Sequence, residues 1–274
     1  MASMVQITKA DGSRAVFKKS KIVGTCLRSG LSKDVAVKIA DEVARGVYEG
    51  MRTREILKKT LTLIDKHESK QHKYKYNLKQ AIAELDPEHS QFERFVTHLF
   101  RELGYKTRWN VIVQGEVIEH QIDSLLEKDG RKLLIECKHH INPHRLTGLG
   151  TVLTTWAVLD DIRKGPNPYN NIWLVNNTKF SNHAKKYSAA KKMKLIGWNF
   201  PKGGSLPELI EKTQAYPANI ISMSAKERKL IMANNILLVK ELASCRPDSL
   251  SKKTGLKKSR AEELVEKAKS LLRA

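Results

Sequence analysis

The stretch IDSLLEKDGRKLLIECKHH, residues 122–140, decides the fold of its part of the chain. Two apolar runs flank Asp129-Gly130, a dipeptide typical of a two-residue β-hairpin turn, because both turn positions need a positive φ. The register of this hairpin predicts that Asp123 faces Glu136. Directly opposed like charges destabilise a strand pair, so something must offset their repulsion.

Alternation of side chains along a strand places Lys138 on the same face as the two acids. The opposite face is predicted to be the core face and carries Ile122, Ser124, Leu126, Leu133, Ile135 and Cys137. The acids and the lysine are therefore expected to project away from that core. A divalent metal, a raised pKa on one acid or a flanking cation would each offset the repulsion.

Two carboxylates beside a lysine suit the hydrolysis of a phosphodiester. Asp123 and Glu136 can hold Mg²⁺ or Mn²⁺, which polarises a phosphate and lowers the pKa of a bound water. The ammonium of Lys138 can orient that water or stabilise the charge that develops on the phosphate. The alternative is a solvated strand face with an ion pair between Glu136 and Lys138.

The whole chain is strongly basic. It has 274 residues with 50 Lys+Arg against 29 Asp+Glu, a formal net charge of +21, and the excess is spread along its length. Basic surfaces gain free energy by releasing the counterions condensed on phosphates, so a polyanion, nucleic acid, is the favoured partner. The alternative is that the charge serves solubility or adaptation to an unusual cytoplasm.

Several classes of protein are excluded. No run approaches the roughly 20 apolar residues of a membrane span, and the first residues lack the apolar stretch of a secretory signal. Cys26, Cys137 and Cys245 lie far apart, which argues against a disulfide framework and a CxxC zinc ribbon. We expect a cytoplasmic protein without membrane contact.

Three segments are predicted: 1–86, 88–205 and 206–274. The first has a short strand with a turn at Asp11-Gly12, followed by helices. The second reads helix, three strands, helix, strand, helix, strand, which predicts an α/β fold with a mixed central sheet. The third is helical. Capping-box spacing, which marks helix starts, occurs at Ser90/Glu93, Ser224/Glu227 and Ser259/Glu262.

The second segment resembles a known family. QFERFVTHLFRELGYKTRWNVIVQGEVIEHQIDSLLEKDGRKLLIECKHH (91–140) is similar to the core of PD-(D/E)XK restriction endonucleases of the Mrr-like branch, a core that archaeal Holliday-junction resolvases share. NIWLVNNTKFSNHAKKYSAAKKMKLIGWNF (171–200) is similar to the strand, helix and strand that follow. The resemblance implies a restriction-endonuclease-like core and an endodeoxyribonuclease, a type IV restriction-like hydrolase that often acts as a homodimer.

The resemblance assigns roles to individual residues. Asp123 and Glu136 match the metal-binding acids, Lys138 matches the motif lysine, and the main-chain carbonyl of Cys137 falls where the family adds a metal ligand. Glu93 matches a first-helix acid that completes the site in many members. Glu93 equally fits the capping box with Ser90, and the two roles are compatible.

The histidines receive weaker interpretations. By alternation His120 points to the core face unless the strand bulges, which makes it a supporting residue at most. His139, His140 and His144 could suggest zinc, yet a matching fourth ligand is missing, and a solvated loop is the preferred interpretation.

The first segment raises a second resemblance. ITKADGSRAVFKKSKIVGTCLRSGLS (7–32) is similar to the ATP-cone, a regulatory domain that binds ATP or dATP. Lys9 and Lys21 match positions that contact the nucleotide, and Val5 and Ile7 would line the base pocket. Ala10 and Ala15 depart from the family pattern. No G-x-x-x-x-G-K-[ST] loop exists, which argues against an ATP motor. The alternative is a helical basic module that binds DNA without nucleotide.

The third segment contains DSLSKKTGLKKSRAEELVEKA (248–268), which resembles a helix-hairpin-helix with its turn at Thr254-Gly255. It would present Lys257, Lys258 and Arg260 to DNA phosphates. The alternative is a packing or dimerising helical pair.

Together these features predict a Mg²⁺-dependent DNA endonuclease regulated by ATP or dATP. The alternatives are a Holliday-junction-type resolvase and a nucleotide-responsive DNA-binding regulator with an inactive nuclease core.

Overall fold

The computed structural model describes residues 5–9, 12–67, 70–166, 169 and 171–273. The chain divides into two compact units, residues 1–78 with 273–274, and residues 79–272. Ala10, which departs from the ATP-cone pattern, and Asp11 of the predicted Asp11-Gly12 turn lie outside the described residues. Within the described part of the chain, no helix is long and apolar enough to cross a membrane.

The first unit is mainly helical. Its elements are β1 (Gln6–Thr8), β2 (Arg14–Val16), α1 (Lys19–Arg28), α2 (Lys33–Arg45), α3 (Thr53–His67) and the first part of α4 (Lys70–Ala83). β1 and β2 pair antiparallel. The hydroxyl of Ser32 accepts a hydrogen bond from the main-chain N–H of Val35, which stabilises the start of α2.

The second unit contains a five-stranded mixed sheet. Its first elements are α5 (Gln91–Glu102), β3 (Lys106–Gln114), β4 (Glu119–Lys128), β5 (Arg131–Lys138), β6 (Leu146–Thr147), α6 (Leu149–Lys164), β7 (Ile172–Asn176), β8 (Lys179–Phe180), α7 (Asn182–Ala190) and β9 (Lys194–Ile196). The strand order is β3-β4-β5-β7-β9. The first two pairings are antiparallel and the last two parallel, which confirms the predicted mixed sheet.

The predicted hairpin is present between β4 and β5. Asp129 and Gly130 have φ values of 51° and 73°, as a two-residue turn requires. The predicted register holds from the turn as far as Ser124 opposite Ile135. The ladder stops there, one pair short of the two acids.

β4 is distorted at Asp123. Its ladder with β3 omits the pair Asn110–Asp123, although pairs form on both sides of it, and Asn110 has a left-handed φ of 53°. Ile122 and Leu125 share one buried cluster with Val152 of α6, whereas regular alternation puts residues three apart on opposite faces. The strand therefore changes faces at Asp123.

Both faces of the sheet are covered, contrary to the predicted single core face. α5 packs against β3, β4 and β5, while α6 packs against β7. Leu125 and Leu134, which share the predicted face of the acids, are 3% and 0% exposed. Strands of α/β folds are covered on both faces and carry apolar side chains on both. Asp123 and Glu136 are accordingly half-buried, while Lys138 is exposed.

The C-terminal helices belong to the second unit and do not form the separate third segment that the sequence predicted. They are α8 (Leu206–Thr213), α9 (Ala225–Ala233), α10 (Val239–Ala243), α11 (Pro247–Thr254) and α12 (Lys258–Leu272). The imidazole of His98 on α5 lies 2.5 Å from the carboxylate of Glu241, and Lys240 pairs with Glu102 at 2.7 Å. Helical patterns show that these helices exist but not what they pack against.

One of the three predicted capping boxes forms. Ser224 and Glu227 cap α9, whereas Ser259 lies inside α12. Ser90 adopts a left-handed conformation with φ of 46° and makes no side-chain cap hydrogen bond. The predicted box between Ser90 and Glu93 is therefore wrong, because capping residues typically have an extended backbone and that of Ser90 is left-handed.

Candidate functional site

Asp123, Glu136, Lys138 and Glu93 are brought together at one end of the central sheet. β4 and β5 are antiparallel, so Asp123 in the middle of β4 lies beside the last residues of β5. One carboxylate oxygen of Asp123 accepts a hydrogen bond from the main-chain N–H of Cys137 at 2.7 Å. The distortion of β4 thus replaces the expected Asp123–Glu136 strand pair with a side-chain contact to β5.

Burial raises the pKa of each acid of this site, and the charge of Asp123 raises those of Glu136 and Glu93 further. The pKa of Glu136 rises from 4.5 to about 8, first because of burial and then because of the charge of Asp123, while Lys138 acts in the opposite direction. Burial also raises the pKa of Asp123, against the Cys137 hydrogen bond and Lys138. At neutral pH the site therefore keeps a proton on Glu136 unless a cation replaces it.

Glu93 approaches the same group from α5. Burial raises its pKa, and Asp123 raises it further, while Lys138 lowers it. Its Oε2 atom is buried and has no hydrogen-bond partner. Since the capping role is absent, a cation would satisfy this oxygen, as a buried polar atom without a partner is costly.

The donor set fits a hard divalent cation. Carboxylate oxygens of Asp123, Glu136 and Glu93, with a main-chain carbonyl at Cys137, are the ligand types that Mg²⁺ prefers. The three carboxylates are not as tightly grouped as Asp86, Glu88 and His89, which in the described part of the chain place three ligand atoms within 4.8 Å of one another.

The Asp86 group has a structural explanation. Asp86 accepts a hydrogen bond from the main-chain N–H of Glu88 at 3.0 Å and contacts the ring of His89 at 2.7 Å. These contacts close a short helical turn on the surface. These contacts explain why the three side chains lie together, without a bound metal.

The histidines have structural roles that differ from the predicted ones. Because β4 changes faces, the ring of His120 reaches the carboxylate of Asp161 on α6 at 2.7 Å. His139 stacks on Phe92 with ring centroids 5.1 Å apart. The solvated-loop prediction is wrong for His139 and His140, which are half-buried, and holds for the exposed His144.

Two asparagines that the sequence reasoning missed fix the chain after Lys138. The amide of Asn177 accepts from the main-chain N–H of His140 and donates to its carbonyl, both at 2.8 Å. Asn176, opposite Lys138 in the sheet register, donates to the hydroxyl of Thr147 at 2.7 Å. The sequence signal for this role is the pair of asparagines at the end of the apolar strand β7.

The predicted nucleotide residues lie in the first unit. Lys9 follows β1, and Lys21 is an exposed residue in the first turn of α1. Ile7 packs against the buried cluster of this unit, and Val5 is half-buried. The ATP-cone interpretation stays a prediction.

The predicted DNA-binding residues of the third segment differ in whether they already pair with carboxylates of this chain. Gly255 has a φ of 71° between α11 and α12, so the helix–turn–helix outline is present. Arg260, however, pairs with Glu227 at 2.7 Å and with Glu263 at 2.5 Å. Lys258 pairs with Asp248 at the surface, and Lys257 is exposed.

Comparisons with known proteins bear on this site. The profile of the Mrr_cat family of restriction endonucleases matches residues 84–199. An uncharacterized protein of Archaeoglobus fulgidus is 32% identical over 177 residues, which cover 65% of this chain and 99% of that protein. A crystal structure of a protein of unknown function, AF1548, superposes with a TM-score of 0.59 and 32% identity, over 66% of this chain and 96% of that one.

The mixed five-stranded sheet is consistent with a restriction-endonuclease-like core. Residues 84–199 match the Mrr_cat restriction endonuclease family, and the chain belongs to the same family as the Archaeoglobus fulgidus protein, nearly all of which it covers.

Proposed function

We propose that this protein is a DNA endonuclease that hydrolyses phosphodiester bonds with Mg²⁺ or Mn²⁺. The observation that carries the proposal is the raised pKa of Glu136, about 8, in a group of three acids and one lysine. Such crowding costs free energy without a cation, and perturbed carboxyl groups cluster at functional sites. The group lies in the part of the chain that matches the restriction endonuclease family, residues 84–199.

The metal would be held by Asp123, Glu136 and the main-chain carbonyl of Cys137, with Glu93 completing the set. When bound, it would supply polarisation of the phosphate and a water of lowered pKa. The hydrogen bond from the Cys137 N–H fixes one oxygen of Asp123 and so orients the other. Glu136 must release its proton before it can act as a ligand.

Lys138 is the cation of the site. Its side chain is exposed, so its ammonium can reach a phosphate or the attacking water at the protein surface. Fixed positive charge beside a reacting phosphate stabilises the charge that develops on its oxygens. Asn176 and Asn177 support this role because they hold the chain that follows Lys138.

The proposed partner is double-stranded DNA in the cytoplasm, attracted by a net charge of +21. Lys257 and Lys258 would add phosphate contacts outside the site. ATP or dATP is the proposed effector of the first unit, through Lys9 and Lys21, and a homodimer is the proposed assembly for cutting both strands.

Incubation of the purified protein with supercoiled plasmid tests the activity. We expect nicking or cutting with Mg²⁺ or Mn²⁺, loss of cutting in EDTA, and loss in Asp123→Ala and Lys138→Ala. Lys202→Ala, which removes another exposed lysine, is the matched control and should cut normally. Cutting that survives in both site variants would remove these residues from the mechanism.

A four-way junction and a linear duplex extend the assay. Preference for the junction would make the protein a resolvase. Binding of duplex without cleavage by either metal would favour a regulator with an inactive core and contradict the proposal.

A further inference from the structure

The hairpin of β3 and β4 continues past Asp123 and carries an open surface, here called the ribbon face. It comprises Asn110, Ile112, Gln114, Glu119 and Gln121, all exposed. Ile112 pairs with Gln121 and Gln114 with Glu119 in the strand register. Directly paired residues of antiparallel strands share a face, so these side chains form one continuous surface.

The chemistry of the ribbon face differs from that of the chain. The chain has 50 Lys+Arg, yet none of the five ribbon residues is a cation. Three carry amides, one a carboxylate and one an aliphatic group. Amides read adenine, carboxylates accept from cytosine and apolar groups contact the thymine methyl, whereas cations chiefly contact phosphates. The composition fits base edges better than the DNA backbone.

Two of the amides are already arranged for this task. The Nε2 of Gln121 donates to the Oδ1 of Asn110 at 2.7 Å, and the left-handed φ of 53° fixes the backbone of Asn110. Among the described contacts this leaves the Oε1 of Gln121 as an acceptor and the Nδ2 of Asn110 as a donor. Adenine presents the complementary N6 donor and N7 acceptor in the major groove.

The back of the hairpin is firmly held by α6. The carboxylate of Asp161 accepts from the main-chain N–H of Val117 at 3.0 Å and contacts the ring of His120 at 2.7 Å. A Cβ on Gly115 would lie 1.9 Å from the same carboxylate, so the turn and α6 are in close contact. A surface held in advance loses little entropy on binding.

The ribbon face also lies close to the acidic site, where the cleaved phosphate of the DNA would bind. Gln121 is two residues from Asp123, which is about 7 Å along a strand. A two-stranded ribbon fits the major groove, which is about 12 Å wide. Base contacts would therefore fall within a few base pairs of the phosphate at the acidic site.

We propose that the ribbon face enters the major groove and selects the base pairs beside the cleaved phosphate, with Asn110 and Gln121 as the main reading residues. This inference rests on the proposed DNA endonuclease function. Sequence preference is then a property of β3 and β4, separate from the phosphate contacts that give affinity.

A random duplex library tests the inference in two ways. In the first, the full chain with Mg²⁺ or Mn²⁺ cuts the library and the cut ends are sequenced. In the second, the same protein in EDTA selects bound duplexes from the library. Gln121→Ala and Asn110→Gly are compared with the wild type; glycine tolerates the left-handed backbone at position 110. Asn234→Ala, which removes an exposed amide directly after α9, is the matched control.

The wild type is expected to prefer certain base pairs at one or two positions by about 5- to 150-fold, the discrimination of one bidentate contact. Gln121→Ala and Asn110→Gly should flatten that preference, and Asn234→Ala should retain it. A wild type without preference, or a preference unchanged in both ribbon variants, overturns the inference and leaves the nuclease proposal standing.

Two other results are equally decisive. Selection that is flattened in the variants, with no cleavage by any protein, supports the reading surface and overturns the nuclease proposal. A concentration-dependent dimer in sedimentation that Gln121→Ala dissociates assigns the face to a second copy of the chain and overturns the inference.

Discussion

At the scale of a single residue, the raised pKa of Glu136 predicts how the stability of the protein depends on pH. A carboxyl with a folded-state pKa of about 8, raised from 4.5, binds a proton that the unfolded chain has already lost over the intervening pH range. The resulting stabilisation is complete below pH 4.5 and is lost as the pH rises through about 8.

We therefore expect the melting temperature of the metal-free protein in EDTA to fall between pH 5 and pH 9. Glu136→Gln, which stays neutral, should remove much of this fall, and each kcal/mol corresponds to about 2–4 °C in a unit of this size. Mg²⁺ should restore the wild type most at the alkaline end, where the carboxylate is free to bind it. Parallel curves for wild type and variant would contradict the assignment.

Glu227 predicts the opposite pH dependence. Its pKa is lowered to about 2, first by the hydrogen bonds from Arg260 and then by that from the Ser224 N–H. A lowered carboxyl pKa stabilises the fold above about 4.5, and this contribution is lost as the pH falls through about 2.

Glu227→Gln keeps a residue that can cap α9 but removes the charge. We expect it to cost about 1.5–3 kcal/mol of unfolding free energy at pH 7 in urea titrations. The difference from the wild type should shrink towards pH 2. A difference that is constant with pH would mean that the charge on Glu227 is unimportant.

At the scale of elements, one glycine in the β4–β5 turn and one glycine in α6 allow a matched comparison of alanine substitutions. A Cβ added at Gly130 or at Gly150 meets no atom within 4 Å. Gly130 has a positive φ in the turn, whereas Gly150 lies in the first turn of α6. Any difference between alanine substitutions at these sites therefore reports backbone conformation.

We expect Gly130→Ala to destabilise the protein by about 1–2 kcal/mol, because a side chain is strained at positive φ. Gly150→Ala should be neutral or stabilise by up to about 1 kcal/mol, since alanine favours the helix. Urea unfolding measures both. Equal effects of the two substitutions would show that the turn does not hold its left-handed conformation.

At the scale of the molecule, the C-terminal helices complete the second unit. The ring of His98 is 7% exposed beside Glu241, Asn219 donates to the carbonyl of Ala81 at 2.7 Å, and Arg228 pairs with Glu84 at 2.9 Å. These contacts join α5 and the end of α4 to residues beyond 205.

Truncation after residue 205 is therefore expected to abolish cooperative unfolding of the second unit, because it exposes apolar surface and leaves His98 without its partner. Circular dichroism melts of the truncated and full chains measure this. A sharp transition retained in the truncated chain would mean that residues 206–274 are an independent module after all.

The sequence predicts the parts of this fold that follow from local pattern. Asp129-Gly130 sets the turn and therefore the register, and that register brings Asp123 close to β5. The pattern does not reveal where the register ends, because the distortion at Asp123 depends on the conformation of Asn110 and on the Cys137 N–H. It also places His120 wrongly, since one irregular residue reverses every side chain that precedes it.

The second gap concerns what covers each face. Leu125 and Leu134 alternate with the acids and could have been read as a second apolar face. Because β5 pairs in parallel with β7, both faces of the sheet need cover, and Leu125 and Leu134 lie in the buried cluster on the second face. Glu93 illustrates the same limit: its spacing fitted both a cap and the acidic site, and only the left-handed Ser90 separates the two.

The Asp129–Gly130 turn has a practical consequence. It stands at the end of β5 remote from Lys138, where Gly130 is eight residues or about 26 Å away along the strand, and both turn residues are exposed. A fluorophore or a surface tether attached at this turn would leave the acidic end of the sheet unobstructed. Single-molecule recordings of a tethered protein on stretched DNA could then follow landing and release without labelling the nucleic acid.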